Sequence, residues 1–277
     1  MVQLSQLIAG CDTGQIQGLS QQVLEKIIAD RPGVLSRIDH ELIVCEGSQN
    51  NPYLQTQAYE ALVKAVKERG IKLHINSCLR TPMQQHMLRR QFERNICGIR
   101  AAAPPPLSNH NSGLAIDIQD SVGWRPFLQK QNWIFIGNFD PVHYDFRGGG
   151  ENLGSLQVRV FQELWNEFNP DEQITVDGQW GPTTAAKVRK SPAQGFGNLP
   201  ILRKGLFADE VGQLQLLLRK ALNLTPDQLA ADMHFGSATF KAVVQFQEDN
   251  DLDADGIVGA KTIAKLEEKT GEKFTIS

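Results

Sequence analysis

His110, Asp117 and His143 are two imidazoles and a carboxylate; drawn together, they supply three protein ligands to a metal ion and leave a fourth position for water. His110 and Asp117 are seven positions apart, and Gly113 between them allows the chain to turn. Asp140 stands three residues before His143, where a general base for that water is wanted. A zinc ion in such a site lowers the pKa of its water to about 7, so a strong nucleophile exists at neutral pH. Asp140 would accept the proton as the water attacks a carbonyl, then pass it to the departing amine.

Several elements must hold these groups. Leu114 to Ile118 reads as a strand, with Ala115 and Asp117 on one face and Leu114, Ile116 and Ile118 on the other. The alanine beside the aspartate leaves room for a metal and a substrate. Val142 to Phe146 reads as a second strand and Ile71 to Ile75 as a third. Apolar spacing predicts helices over Leu19–Ile28 and Tyr53–Val66, and Gly123–Gln131 reads as a short one. Thr81 and Pro82 look like an N-cap and first helical residue, opening a helix to about Arg94. Gly98 to Asn111, with its three consecutive prolines, is a loop. Short strands mixed with helices indicate an α+β domain.

Composition narrows the class. With 277 residues, 41% hydrophobic and 21% charged, the chain has room for a catalytic domain and a smaller appendage. The net charge of −3 offers no basic excess for a phosphate backbone, so nucleic acid is not an expected partner. No apolar run is long enough to span a bilayer. Leu7 to Cys11 faintly resembles a lipoprotein cleavage box, but no signal peptide is clear, and the segment is expected to start a helix. Cys11, Cys45, Cys78 and Cys97 lack CxxC spacing; one or two disulfides, with Cys78 and Cys97 flanking one helix, or four reduced thiols are all compatible with it.

Ser108, His110, Gly113, Ala115 and Asp117 together fill the pattern SxHxxGxAxD, and Asp140 with His143 fills (E/D)xxH. The set resembles the zinc D-Ala-D-Ala carboxypeptidase and L-Ala-D-Glu peptidase family over about residues 53 to 147. An SxxR element of that family corresponds to Ser77–Arg80, with Gln84 or Gln85 following on the helix. The resemblance implies zinc ligands His110, Asp117 and His143 and a catalytic Asp140. It makes Arg80, Ser108 and Gln84 the substrate-binding candidates, although Ser108 could equally order its loop. Many carboxypeptidase members carry glutamate where this chain has Asp140. The shorter side chain resembles the endopeptidase branch, which cuts between L-Ala and D-Glu; an inactive, wall-binding scaffold is the alternative.

Beyond Gly148–Gly150 a weak repeat appears. Asp177-Gly178…Thr183, Asp232…Phe235-Gly236…Thr239 and Asp255-Gly256…Thr262 each place a glycine just before a helix. Residues 199 to 270 resemble the three-helix peptidoglycan-binding domain, and 154 to 190 a partial copy without the closing Phe-Gln segment. The implied layout is a zinc peptidase domain over 1–148, a partial repeat over 151–195 and a binding domain over 199–272. The expected architecture is a small antiparallel sheet with flanking helices around a zinc cleft, then all-α modules. Expected partner and place are bacterial peptidoglycan and the cell wall, periplasm or exterior, with the chain a monomer. Asp251, Asp253 and Asp255 mimic a calcium loop, but Thr262 stands where its bidentate glutamate is required.

Overall fold

A computed structural model describes residues 2–47, 49–99, 101–197, 202–204, 206 and 208–275. The chain divides into two compact units, Met1–Ala193 and Gln194–Ser277. The first opens with helices α1 (Leu4–Leu7) and α2 (Gln17–Asp30), then short strands β1 (Leu35–Arg37), β2 (Ile43–Cys45) and β3 (Tyr53–Gln55). Next come α3 (Thr56–Arg69), β4 (Leu73–Ser77), α4 (Pro82–Glu93), β5 (Ala115–Ile118), α5 (Ser121–Lys130), β6 (Trp133–Phe135) and β7 (His143–Phe146). Helices α6 (Gly154–Phe168) and α7 (Pro182–Lys190) complete it.

Five strands form one sheet in the order β2-β4-β5-β7-β6, and β1 pairs with β3 in a separate ribbon. The expected small antiparallel sheet is present over β4, β5, β7 and β6, with one parallel pair added at its edge. Strands β2 and β4 run parallel because the chain between them carries β3 and α3 and returns as a crossover. Helix α3 buries Ala58, Ala61, Leu62, Ala65 and Val66, the spacing of one helical face, and stops at Gly70 in the left-handed region. It starts at Thr56, later than the periodicity predicts, because Tyr53–Gln55 is drawn into pairing with Leu35–Arg37. The core beneath the sheet holds Ile75, Ile116, Ile118, Trp124, Trp133, Tyr144 and Phe146. Every second residue of β5 and β7 therefore points away from that core.

Cys97 pairs with Cys11 and not with Cys78; the bridge ties the N-terminal segment to the end of α4. Cys45 and Cys78 remain thiols. Helix α2 packs on α6 and α1 on α7, so residues 151–193 fold with the first unit and not as a separate body. On the α4 side, the His86 ring lies 5.5 Å from that of Trp180. His86 is buried, its Nε2 has no partner, and burial with nearby Arg189 and Arg90 pushes its pKa down to about 4. Its folded pKa lies below the unfolded value of about 6.5, so the unfolded chain takes up the proton first and stability is lost as pH falls from 6.5 to 4. The shift corresponds to a loss of about 3 kcal/mol at most. Urea unfolding at pH 7 and pH 4.5 should show a smaller acid loss for His86→Gln than for the native chain.

The second unit contains α8 (Asp209–Leu222), α9 (Ser237–Glu248) and α10 (Ala260–Thr270) around Leu214, Leu218, Phe235, Val243, Phe246, Ile263 and Leu266. Its repeated turns share one buried clamp. Gln247 donates to Asp255 Oδ1, the Ile257 carbonyl and Thr262 Oγ1, and accepts from the Gly256 amide. Gln215 does the same with Asp232, the His234 carbonyl, Thr239 and the Met233 amide. In the first unit Gln162 clamps Asp177, the Gln179 carbonyl, Thr184 and the Gly178 amide. The matching threonine is thus buried Thr184 and not exposed Thr183. The Phe-Gln pair, expected to be missing from this copy, is Phe161-Gln162 on α6. Because these glutamine, aspartate and threonine groups satisfy one another, the signature specifies the turn itself.

Candidate metal centre

The sheet register builds the site. Ser77 on β4 stands opposite Asp117 on β5, and Asp117 stands opposite His143 on β7, making one row across three strands. One step along, Ala115 faces Asp145. Ile116 and Tyr144, also paired, point into the core. Alternation of side chains thus places a carboxylate and an imidazole side by side on the outer face.

His110 reaches the row from a 3-10 turn, Asn109–Ser112, closed by Gly113 at φ +63°. A side chain at Gly113 would be strained there and would bring a Cβ to 3.2 Å from the Gln55 amide nitrogen. The turn is zipped to the loop after β4: Arg80 N–H donates to the His110 carbonyl, and Asn111 donates to the Arg80 carbonyl.

His110 Nε2, His143 Nδ1 and Asp117 Oδ1 stand 3.2, 2.9 and 3.3 Å apart. Ligand atoms arranged tetrahedrally about 2.0–2.1 Å from a zinc ion are separated by about 3.3 Å, so the spacing suits such an ion. The remaining ring nitrogens fix the tautomers. His110 Nδ1 donates to the Cys78 carbonyl at 2.7 Å, and His143 Nε2 donates to Asp145 at 3.0 Å. Among the described residues these three form a group able to hold a metal ion.

The electrostatics are those of a crowded, buried cluster. Burial pushes the Asp117 carboxyl up, but His110, His143 and Arg80 outweigh it and hold it well below the usual carboxylate range. Burial lowers the His110 pKa, with Arg80 adding to the effect. Burial acts the same way on His143, yet its hydrogen bonds to Asp117 and Asp145 lift it to about 9. One imidazole is kept neutral and the other is drawn to two carboxylates. A cation at the centre would replace the proton that Asp117 and His143 share.

The other expected residues are dispersed. Arg80 lies 3.5 Å from Asp117 Oδ2, with its guanidinium held by Ser77 and Gln85. Gln84 is corrected as a substrate-binding residue. It is fully buried, closes the Thr81 capping box and bonds Asn51 and Gln17. Its neighbour Gln85 turns toward Arg80 because successive helical residues point about 100° apart. Ser108 is half-buried ahead of the His110 turn, with no side-chain cap, and its carbonyl accepts the Asn111 amide. Asp140 lies in the turn before β7, where its carbonyl accepts the His143 amide and its charge supports that of Arg80.

Asp145 is the site residue that the motif leaves out. It is buried, and its second oxygen is held by Arg147 at 2.8 Å. The available signal was period-2 alternation after His143, which puts Asp145 on the same strand face. Asp145→Ala should weaken metal affinity by about 10–100-fold, read by competition with a chromophoric chelator.

Residues 52–133 match the family model described as D-alanyl-D-alanine carboxypeptidase, and residues 208–266 match that of a peptidoglycan binding domain. The first match contains Arg80, Ser108, His110 and Asp117; Asp140 and His143 lie beyond it, and His143 joins through the β5–β7 pairing.

Proposed function

We propose that this chain is a zinc-dependent metallopeptidase cutting the stem peptides of bacterial cell wall, a reading supported by the match of residues 52–133 to the D-alanyl-D-alanine carboxypeptidase model and of residues 208–266 to the peptidoglycan binding domain model. The observation that carries this reading is the convergence of His110, Asp117 and His143, the two rings each oriented by a further hydrogen bond and Asp117 by an ion pair with Arg80. His110 Nε2, Asp117 Oδ1 and His143 Nδ1 would hold the ion, which supplies an activated water and polarises the carbonyl to be cut. Cys78 and Asp145 keep the two rings turned to one point. Arg80 binds the substrate's carboxylate or carbonyl, and Asp140 moves the proton between water and the leaving amine.

The aspartate at position 140 favours the L-Ala-D-Glu bond, while the matched family favours D-Ala-D-Ala. An aspartate is one methylene shorter than a glutamate, which alters how far the base reaches. We assign the endopeptidase cut first and the carboxypeptidase cut second. The second unit raises the enzyme's effective concentration at the wall. No described helix is long and apolar enough to cross a membrane, and the assigned place of action is the cell wall or periplasm.

Mass spectrometry of products from defined muropeptides tests this directly. Release of a peptide with D-Glu at its amino end, leaving L-alanine on the sugar, supports the endopeptidase assignment, and loss of a terminal D-alanine replaces it with the carboxypeptidase one. Binding to sacculi with no new amine termini, in protein shown to contain zinc, would establish the inactive scaffold instead.

A further inference from the structure

Next to the metal row lies a cavity of about 400 Å³ that the ligand set does not use. Ser77, Arg80, Gln49, Asn76, Cys11 and Asp12 line it, with two leucines among the remaining wall residues. Its volume lies in the range of sites that enclose small molecules. Ser77 is paired in register with Asp117 and donates no bond away from the site: its hydroxyl accepts from Arg80 at 2.8 Å. On the peptidase reading, a group in the cavity lies next to the metal row and belongs to the molecule being cut.

The lining is charged at both signs. Among the described residues that line it, Arg80 is the only cation and Asp12 the only anion, with the amides of Gln49 and Asn76 also in the wall. A purely anionic guest would meet Asp12, and an apolar one would leave both charges without a partner. Asp12 is held in place twice. Its Oδ1 accepts the Gly14 amide at 2.7 Å, and its neighbour Cys11 is bridged to Cys97 at the end of α4. That disulfide thus fixes one wall of the cavity.

We propose that the cavity receives an amino-acid end group bearing both an ammonium and a carboxylate, with Asp12 binding the ammonium and Arg80 the carboxylate. This specificity pocket rests on the peptidase reading above, and Asp12 comes from outside the segment that matches the peptidase family. The pocket selects stem peptides in which the residue beside the cut is followed by a terminal diamino acid with its ammonium and carboxylate free.

Two peptides test it: γ-linked L-Ala-D-Glu-L-Lys, and its analogue with norleucine, which lacks only the ammonium. Titration calorimetry into the full chain stripped of metal reads the pocket without turnover. The lysine peptide should bind about tenfold or more tightly than the norleucine peptide, the worth of a charge-assisted hydrogen bond. Asp12→Asn keeps an oxygen for the Gly14 amide and removes the charge, so it should bring the ratio close to one. Asp12→Ser, another capping residue, should do the same if the first variant folds poorly. Equal binding of both peptides by the native chain, or a preference that survives both substitutions, overturns the proposal. A lysine preference in binding without hydrolysis by the zinc-loaded chain would leave the pocket standing and remove the peptidase reading.

Discussion

His110→Ala should yield a folded protein that holds no stoichiometric zinc and cuts stem peptides at least about 10³-fold more slowly. The magnitude follows from the several kcal/mol that a metal contributes to a hydrolytic transition state, each 1.36 kcal/mol being a factor of ten in rate. The physical reason is that His110 is the ligand with no substitute nearby. Asp117 and His143 share a pair of neighbouring strands, but His110 alone approaches from the 3-10 turn. Removing its ring deletes one donor and the bond to the Cys78 carbonyl, and leaves an ion with two protein ligands. The turn itself keeps its backbone bonds to Arg80 and Gly113, so circular dichroism should stay close to native. Elemental analysis of the purified variant supplies the decisive number: one zinc per chain with native turnover would end the metal-centre reading.

Asp140→Asn should separate binding of the metal from its use. Its carboxylate is outside the three-residue cluster, so zinc content should match the native protein. The kcat should nevertheless fall by about 10²–10⁴-fold, the usual worth of a positioned general base. Asparagine keeps the size of the side chain and the backbone turn through Gly137 and His143, and loses the ability to take a proton. Asp140→Glu restores a base with a longer reach, and comparing its products with those of the native chain asks whether side-chain length decides which bond is cut. A zinc-loaded Asp140→Asn variant of undiminished kcat would show that the proton is taken by another group.

The two tests differ because the residues are held differently. His110 and His143 are buried and each ring is fixed by a bond on its far side. Asp140 occupies a more open turn beside Phe139, which is 72% exposed. A base must exchange protons with water and substrate, whereas ligands must keep water from competing for the ion.

Much of the site was legible because its spacing is local. The interval from His110 through Gly113 to Asp117 is a turn entering a strand, and period-2 alternation separates Ala115 and Asp117 from the core residues Ile116 and Ile118. Thr81-Pro82 announced α4 through capping chemistry, which depends on adjacent residues alone. Three-residue strands such as β2 and β6 were not legible, since a period cannot be read from so few positions. Nor was the Phe161-Gln162 copy of the clamp: its Asp177 lies 15 residues on, against 8 for Gln247 and Asp255.

By itself the order of residues determined the kinds of group available and the short elements that carry them: two imidazoles, a carboxylate, a spare acid and a string of repeated glycine turns. Tertiary structure alone decided that Asp117 faces His143 across β5 and β7, that Asp145 and the Cys78 carbonyl orient the rings, that Gln84 turns inward and that Cys11 finds Cys97. Each of these depends on distances between segments far apart in the chain. Such distances are set by strand register and by the burial of whole faces, quantities that sum over many residues and are written in no single stretch.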